Sequence, residues 1–187
     1  MDRLIALGFC SGSTLTSEFV QSLVATYARW PDYAERTIHV TSGPDIGHAR
    51  NLIAKTFLAT EWDQLLMVDT DIVFTPDDIH MLARSDYPII SGLYRASDDK
   101  LMAARWQDGF RWPLHAPGFD GLYPKVDAVG MGFCLIERKV LADCSFDPVS
   151  GYGEDVSFCI RATARGYPIH LDPRVRVGHV KPSVLRP

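Results

Sequence analysis

The sequence predicts an α/β protein, a three-layer α/β/α sandwich around a central, mostly parallel sheet. Three observations carry that expectation. Short apolar runs alternate with segments of helical periodicity through the first half of the chain. Their order, β-α-β-α-β, requires the crossover connections that parallel strands need. One run, LLMVDTDIVF at 65–74, reads as the most buried strand and yet carries two aspartates spaced by one residue.

Each element has its own justification. Residues 4–9 form a short apolar strand that ends in the turn-prone Cys10-Ser11-Gly12-Ser13. Leu15, Phe19, Leu23 and Tyr27 then repeat every four residues, with Val20 and Val24 beside them, marking one helix face. Residues 37–41 make the second strand. The loop Ser42-Gly43-Pro44-Asp45 leads into a helix carrying Ile46, Ala49, Ile53 and Phe57, with Asp45 as its N-cap. Residues 65–68 are the third strand. Thr75-Pro76-Asp77-Asp78 is a helix start, with threonine as cap, proline in the first turn and acids complementing the helix dipole.

The second half is less regular. Residues 87–92 read as a strand. The segment 95–125 carries Trp106, Phe110, Trp112, Phe119 and Tyr123 among glycines, prolines and charges, which predicts hairpins and loops over one end of the sheet. Residues 126–136 read as one strand whose glycines permit close backbone approach. A helix is expected over 153–165, stopped by Gly166, with strands at 167–171 and 175–180. The expectation is one domain, 1–187, with a variable segment at about 95–125.

Composition narrows the function. The 187 residues are 47% hydrophobic and 22% charged, ordinary for a globular protein, and a net charge of −4 gives no overall basic footprint for nucleic acid. No stretch approaches the roughly 18 apolar residues of a membrane span. The start, MDRLIALGFCSGS, is a poor signal peptide. Cys10, Cys134, Cys144 and Cys159 form no C-x-x-C pair and read as buried free thiols, so a cytoplasmic location is expected.

Four groups could carry chemistry. Asp69 and Asp71 fall at the C-terminal end of an apolar strand, the edge where open α/β sheets bind ligands. A turn there lets both reach one cation, and oxygen ligands suit Mg²⁺ or Mn²⁺. Arg50 opens the second helix, where it can receive an anion or pair with an acid. Gly151-Tyr152-Gly153-Glu154-Asp155 places two acids at a helix start, as dipole partners or as a general base beside a hydroxyl. His179 can complete a Mn²⁺ site, and Lys181 can neutralise a phosphate.

Together, ARN at 49–51, VDTD at 68–71, VDAVGMGFCLIERKVL and GYGEDVSFCIRATARGYPIHLDPRVRVGHV resemble the GT-A-fold glycosyltransferases, in particular small phage and bacterial members related to family 2. The resemblance runs from Leu4 to about Lys181 and is weakest at 95–125. It implies that Asp69 and Asp71 are the Asp-x-Asp motif holding Mn²⁺ or Mg²⁺ against a nucleotide-sugar diphosphate, with His179 completing the metal site. It implies nucleotide contacts from Ser11, Asp45 and Arg50, and a diphosphate contact from Lys181. Residues 130–133 would line the sugar and acceptor pocket. Glu154 and Asp155 would be the acidic pair whose aspartate is the base in inverting members. A UDP-sugar is the expected donor, with a GDP-sugar as alternative; glycan, protein, lipid carrier or modified base could each be the acceptor.

Two rivals use the same residues. VDTDIV also fits a haloacid-dehalogenase-type phosphatase with Asp69 as nucleophile and Asp71 as acid/base. Its lysine would have to be Lys125 or Lys139, and two β-α units precede a motif that normally lies on the first strand. A non-catalytic nucleotide-sugar or glycan-binding protein could keep the same fold.

Overall fold

The computed structural model describes residues 3–97, 99–107, 110–115 and 122–181, without the side chains of 110–113 and 115. The chain begins β1 (Ile5–Ser11), α1 (Ser17–Arg29), α2 (Asp32–Glu35), β2 (Thr37–Thr41), α3 (Ile46–Leu58) and β3 (Gln64–Val68). It continues β4 (Ile72–Val73), α4 (Pro76–Ala83), β5 (Ile89–Leu93), β6 (Lys100–Gln107) and β7 (Phe110–His115). Then come β8 (Lys125–Val126), β9 (Ala128–Val129), β10 (Phe133–Glu137), α5 (Arg138–Asp143), α6 (Glu154–Ala164), β11 (Ile169–Arg176) and β12 (Gly178–His179).

The central sheet has seven strands in the order β2-β1-β3-β10-β5-β11-β8. Strands β2, β1, β3, β5 and β11 run in one direction; β10 lies antiparallel between β3 and β5, and β8 is antiparallel at the edge. Two small sheets flank this one, β12-β4 and the hairpin layer β7-β6-β9.

Strand β3 is buried along its whole length, and its side chains divide between two cores. Leu65 and Met67 pack with Ile53 and Phe57 of α3, Val140 of α5 and Phe158 of α6. Leu66 and Val68 pack with Phe19 and Leu23 of α1 and Ile79 and Leu82 of α4. That alternation on a wholly apolar strand is what helices on both faces of a sheet impose. The three layers follow.

Local signals set the helix ends. The Thr16 hydroxyl accepts the Phe19 N–H at 3.2 Å, and Asp45 Oδ1 accepts the His48 N–H at 2.9 Å. Thr75 and Asp78 form a capping box, in which the Thr75 N–H donates to Asp78 Oδ2 at 2.8 Å. Gly166 ends α6 with φ of 83°, a left-handed conformation that favours glycine.

Several expectations are corrected. Residues 126–136 are not one strand: β8, β9 and a turn precede β10. The break follows from Gly130 and Gly132, which close on the Tyr94 side chain. A Cβ on Gly130 would lie 2.3 Å from the Tyr94 hydroxyl, and one on Gly132 2.8 Å from its ring. Residues 169–176 run as one strand with an irregularity between Asp172 and Arg176, rather than as two. Val20 and Val24 face outward, at 39% and 59% exposure, and Leu15 precedes α1. Helices α2 and α5 have no counterpart in the sequence reading. Phe119 and the Trp112 side chain lie outside what is described.

Candidate functional site at the carboxyl edge of the third strand

Strand β3 delivers Asp69-Thr70-Asp71 to a tight turn held from three sides. The Asp69 N–H donates to the Gly132 carbonyl at 3.0 Å, and the Ile72 N–H to the Asp69 carbonyl at 3.1 Å. The Thr16 N–H and hydroxyl both donate to the Thr70 carbonyl, at 3.3 and 2.9 Å. The Val180 N–H closes the third side on the Asp71 carbonyl at 2.8 Å.

The two aspartates point to different partners. Asp69 Oδ1 accepts from Arg50 Nη2 at 2.7 Å, and Arg50 Nη1 donates to Glu154 Oε1 at 2.5 Å. Arg50 is only 5% exposed. Burial works against its charge, yet Asp69 and Glu154 outweigh burial and raise its pKa. One guanidinium thus ties α3, the end of β3 and the start of α6 together with a charge-assisted bond to each of two carboxylates. Gly47 allows the two helix starts to meet, because a Cβ there would sit 2.8 Å from the Phe146 carbonyl and 3.2 Å from the Glu154 Cβ.

Asp71 belongs to the second cluster. Its Oδ2 lies 3.0 Å from His179 Nε2 and 3.7 Å from Lys181 Nζ. Pairing of β4 with β12 sets His179 opposite Ile72. His179 Nδ1 is 2.7 Å from the Arg95 carbonyl, so Nδ1 must carry a proton. Nε2 then faces the Asp71 carboxylate oxygen, and a cation bound by both groups or a proton shared between them satisfies the pair. A backbone carbonyl on the other ring nitrogen is the usual support of a metal-binding histidine.

Among the described residues, no three His, Cys, Asp or Glu side chains stand together as a finished metal cage. Asp71 and His179 are adjacent, whereas Asp69 is turned onto Arg50. The donor set of two carboxylates and one imidazole fits Mn²⁺ or Mg²⁺ keeping several waters.

The other expected residues lie around this edge. Ser11 Oγ is 2.7 Å from His39 Nε2, and the His39 ring stacks on Phe9 at 4.8 Å. Asp45 is committed to capping α3, where it lines a cavity of about 430 Å³ with Gly47, Gly153 and Glu154. Asp155 Oδ1 accepts the Val156 N–H at 2.6 Å, and the side chain lines a separate cavity of about 230 Å³ with Val129 and Gly130. The structure therefore brings together Arg50, Asp69 and Glu154, and separately Asp71, His179 and Lys181. Ser11 is paired with His39 instead.

Sequence reasoning missed Tyr94. This buried residue follows β5 at the same sheet edge, its hydroxyl accepts the Gly132 N–H at 2.8 Å, and its ring meets His179 edge-on at 5.5 Å. Burial raises its pKa, with the Asp69 charge adding to the effect. It also missed Cys10, half-buried beside the cluster. Burial raises that thiol, Arg50 opposes the rise, and Asp69 reinforces it. Position at a parallel-strand terminus was the signal available for both.

No protein-family model matches the chain, and no curated protein matches it. Solved structures do. A197 from STIV superposes with a TM-score of 0.63 at 15% identity, covering 98% of this chain and 97% of that one. GalNAc-T7, solved with UDP, GalNAc and Mn²⁺, gives 0.68 at 13% identity; the match covers 96% of this chain and 44% of that one. The inositol-1-phosphate CTP transferase from T. maritima gives 0.55 at 10% identity, covering 96% and 90%. At such identities the likeness is one of fold. The chain has a GT-A-like three-layer α/β/α fold.

Proposed function

We propose that the protein is a metal-dependent glycosyltransferase that moves a sugar from a nucleotide-diphosphate donor, a UDP-sugar first among them, to an acceptor hydroxyl with inversion. The observation that carries this reading is Asp71 Oδ2 facing His179 Nε2 while His179 Nδ1 rests on the Arg95 carbonyl. It sits at the ligand edge of the sheet, next to the Arg50 clamp on Asp69 and Glu154. Asp69, Asp71 and His179 would hold Mn²⁺ or Mg²⁺, which supplies positive charge to the departing diphosphate.

The chain's own residues do the rest. Arg50 holds the Asp69 and Glu154 carboxylates through one oxygen each, Oδ1 and Oε1, so Asp69 would meet the ion with its other oxygen. Lys181, 56% exposed at the rim, brings a movable cation to the phosphates. Asp155 takes the proton of the attacking hydroxyl, and its contribution is position beside the acceptor cavity.

The phosphatase reading finds little support in the same geometry. Lys139 pairs with Glu137 at 2.6 Å, and Glu137 lies opposite Gln64, at the far end of β3 from Asp69. Lys125 sits on edge strand β8, opposite His170.

The test is a melting-temperature screen of UDP, GDP and their sugars with and without Mn²⁺, followed by a nucleotide-release assay. Binding should raise the melting temperature with the logarithm of ligand concentration, and only with the metal present. No shift with any nucleotide overturns the proposal. Binding without release of nucleotide favours a non-catalytic binding protein, and a phosphate adduct on Asp69 favours the phosphatase.

A further inference from the structure

We propose that Tyr94 is a positioning residue that holds Asp69 and His179 at one fixed separation for the metal ion; this rests on the transferase reading above. Two other contacts set the remaining relations at the sheet edge. Arg50 fixes Asp69 against α3 and α6, and the pairing of β4 with β12 fixes His179 against Asp71. Asp69 follows β3 of the central sheet, whereas His179 belongs to the small β12-β4 sheet. The Asp69 side chain bonds to Arg50, and the His179 ring to Asp71 and the Arg95 carbonyl. Tyr94 spans the gap between them.

On the Asp69 side the link runs through Gly132. The Gly132 N–H donates to the Tyr94 hydroxyl at 2.8 Å, and the Gly132 carbonyl accepts the Asp69 N–H at 3.0 Å. Glycine has the freest backbone of any residue, and here it is tethered at both ends. Tyr94 also reaches the start of this turn. Its carbonyl accepts the Met102 N–H at 3.0 Å, and the Met102 carbonyl accepts the Gly130 N–H at 2.9 Å. A phenylalanine would fill the same ring space and leave the buried Gly132 N–H without that acceptor. The hydroxyl is the part that reaches Asp69.

On the His179 side the link is shorter. The two rings meet edge-on at 5.5 Å, with 79° between their planes. The neighbouring Arg95 carbonyl lies 2.7 Å from His179 Nδ1, and the Leu93 carbonyl accepts the Val177 N–H at 2.9 Å. Residues 93–95 therefore hold 177–179 with one set of groups and the 130–132 turn with another. Their base is rigid: β5 is paired on both sides, with β10 and β11, and Tyr94 is 4% exposed. Ligand groups must be held to within about 0.5 Å, so a spacer between them has to be stiff.

The test reads metal affinity without any donor sugar. Mn²⁺ is titrated into the protein with and without UDP, and the free ion is followed by its EPR signal. Tyr94→Phe should bind Mn²⁺ about tenfold more weakly, as when the support of a metal ligand is removed. Tyr94→Leu, which also takes the ring from His179, should bind more weakly again. Leu82→Ala, in the core beneath α4, is the control. It should lower the urea midpoint at least as far as Tyr94→Phe and leave Mn²⁺ affinity unchanged. Should Tyr94→Phe fail to fold, Gly132→Ala disturbs the same junction, with its Cβ 2.8 Å from the Tyr94 hydroxyl, and should weaken Mn²⁺ binding likewise. In turnover of a nucleotide sugar, Tyr94→Phe should need about tenfold more Mn²⁺ for half-maximal rate and recover most of the rate at saturation. Unchanged Mn²⁺ affinity in Tyr94→Phe, or an equal loss in Leu82→Ala, overturns this inference alone. No Mn²⁺ binding by the unaltered protein, with or without UDP, overturns the metal-dependent reading and this inference with it.

Discussion

The two halves of the sheet are built differently. From β1 to β3 the chain is a regular alternation of parallel strands and covering helices, and each element does one job. From β5 onward it inserts an antiparallel strand into the sheet, lays a hairpin layer over it, and breaks what reads as one strand around the Tyr94 ring. The first half carries Asp69 and Arg50; the second carries Glu154, Asp155 and His179. Regular crossovers place charge at a sheet edge cheaply, because that edge exists in any such fold. His179 and the start of α6 reach that edge through less regular chain, and irregular chain depends on close contacts between distant residues.

The sharpest way to break this comparison is at the aspartates. Asp71→Ala should cut metal-dependent turnover by about a thousandfold or more with little change in unfolding midpoint, since Lys181 is exposed and His179 keeps its bond to the Arg95 carbonyl. Asp69→Ala should lose as much activity and stability as well, because it strips a carboxylate from buried Arg50. Steady-state kinetics alongside urea unfolding would separate the two. Unchanged turnover in both variants would remove the metal assignment.

Next in size is the bond between the halves. Arg50→Met should cost about 3 kcal/mol in urea unfolding, the lower end for a broken buried pair. The Asp69 and Glu154 side chains are 36% and 22% exposed, so water softens the loss. A third test stays within the second half. Gly130→Ala should cost about 2 kcal/mol by driving a methyl into the Tyr94 hydroxyl. Combined with Tyr94→Phe, the total should fall short of the sum of the single changes by about 1 kcal/mol. Strict additivity would show that the two residues do not meet.

The smallest effect is a pH dependence. Burial pushes the Cys159 thiol up to about 12 from 9.0, against the Val129 N–H, which draws it down. Below pH 9 folded and unfolded chains both keep that proton, and the contribution is fully present. Between pH 9 and 12 only the unfolded chain gives it up, so stability falls by about 1.4 kcal/mol per pH unit for this thiol. Cys159→Ala should flatten the alkaline slope by nearly that amount, as read from urea unfolding at pH 10 and 11.

The contrast also explains what could be read in advance. Helix caps at Asp45 and Thr75 and the Gly166 stop depend on neighbours in sequence, and the structure places each of them as expected. The break after Val129 depends on Tyr94, far upstream, so no local pattern shows it. Val20 and Val24 show the limit of a periodic pattern, because an apolar residue at helical spacing is equally compatible with the flank of a buried stripe. Arg50 was legible as a cation at a helix start. Its grip on two carboxylates was not, since Glu154 joins it from more than a hundred residues away.

The thiols offer a practical handle. Cys134, Cys144 and Cys159 are buried in the second half, and only Cys10 is half-buried, on β1 close enough to feel Arg50 and Asp69. A maleimide should therefore label the folded protein at one position, beside the ligand edge of the sheet. The rate of that labelling becomes a clock for occupancy of the edge, readable in a mass spectrometer before any substrate has been identified.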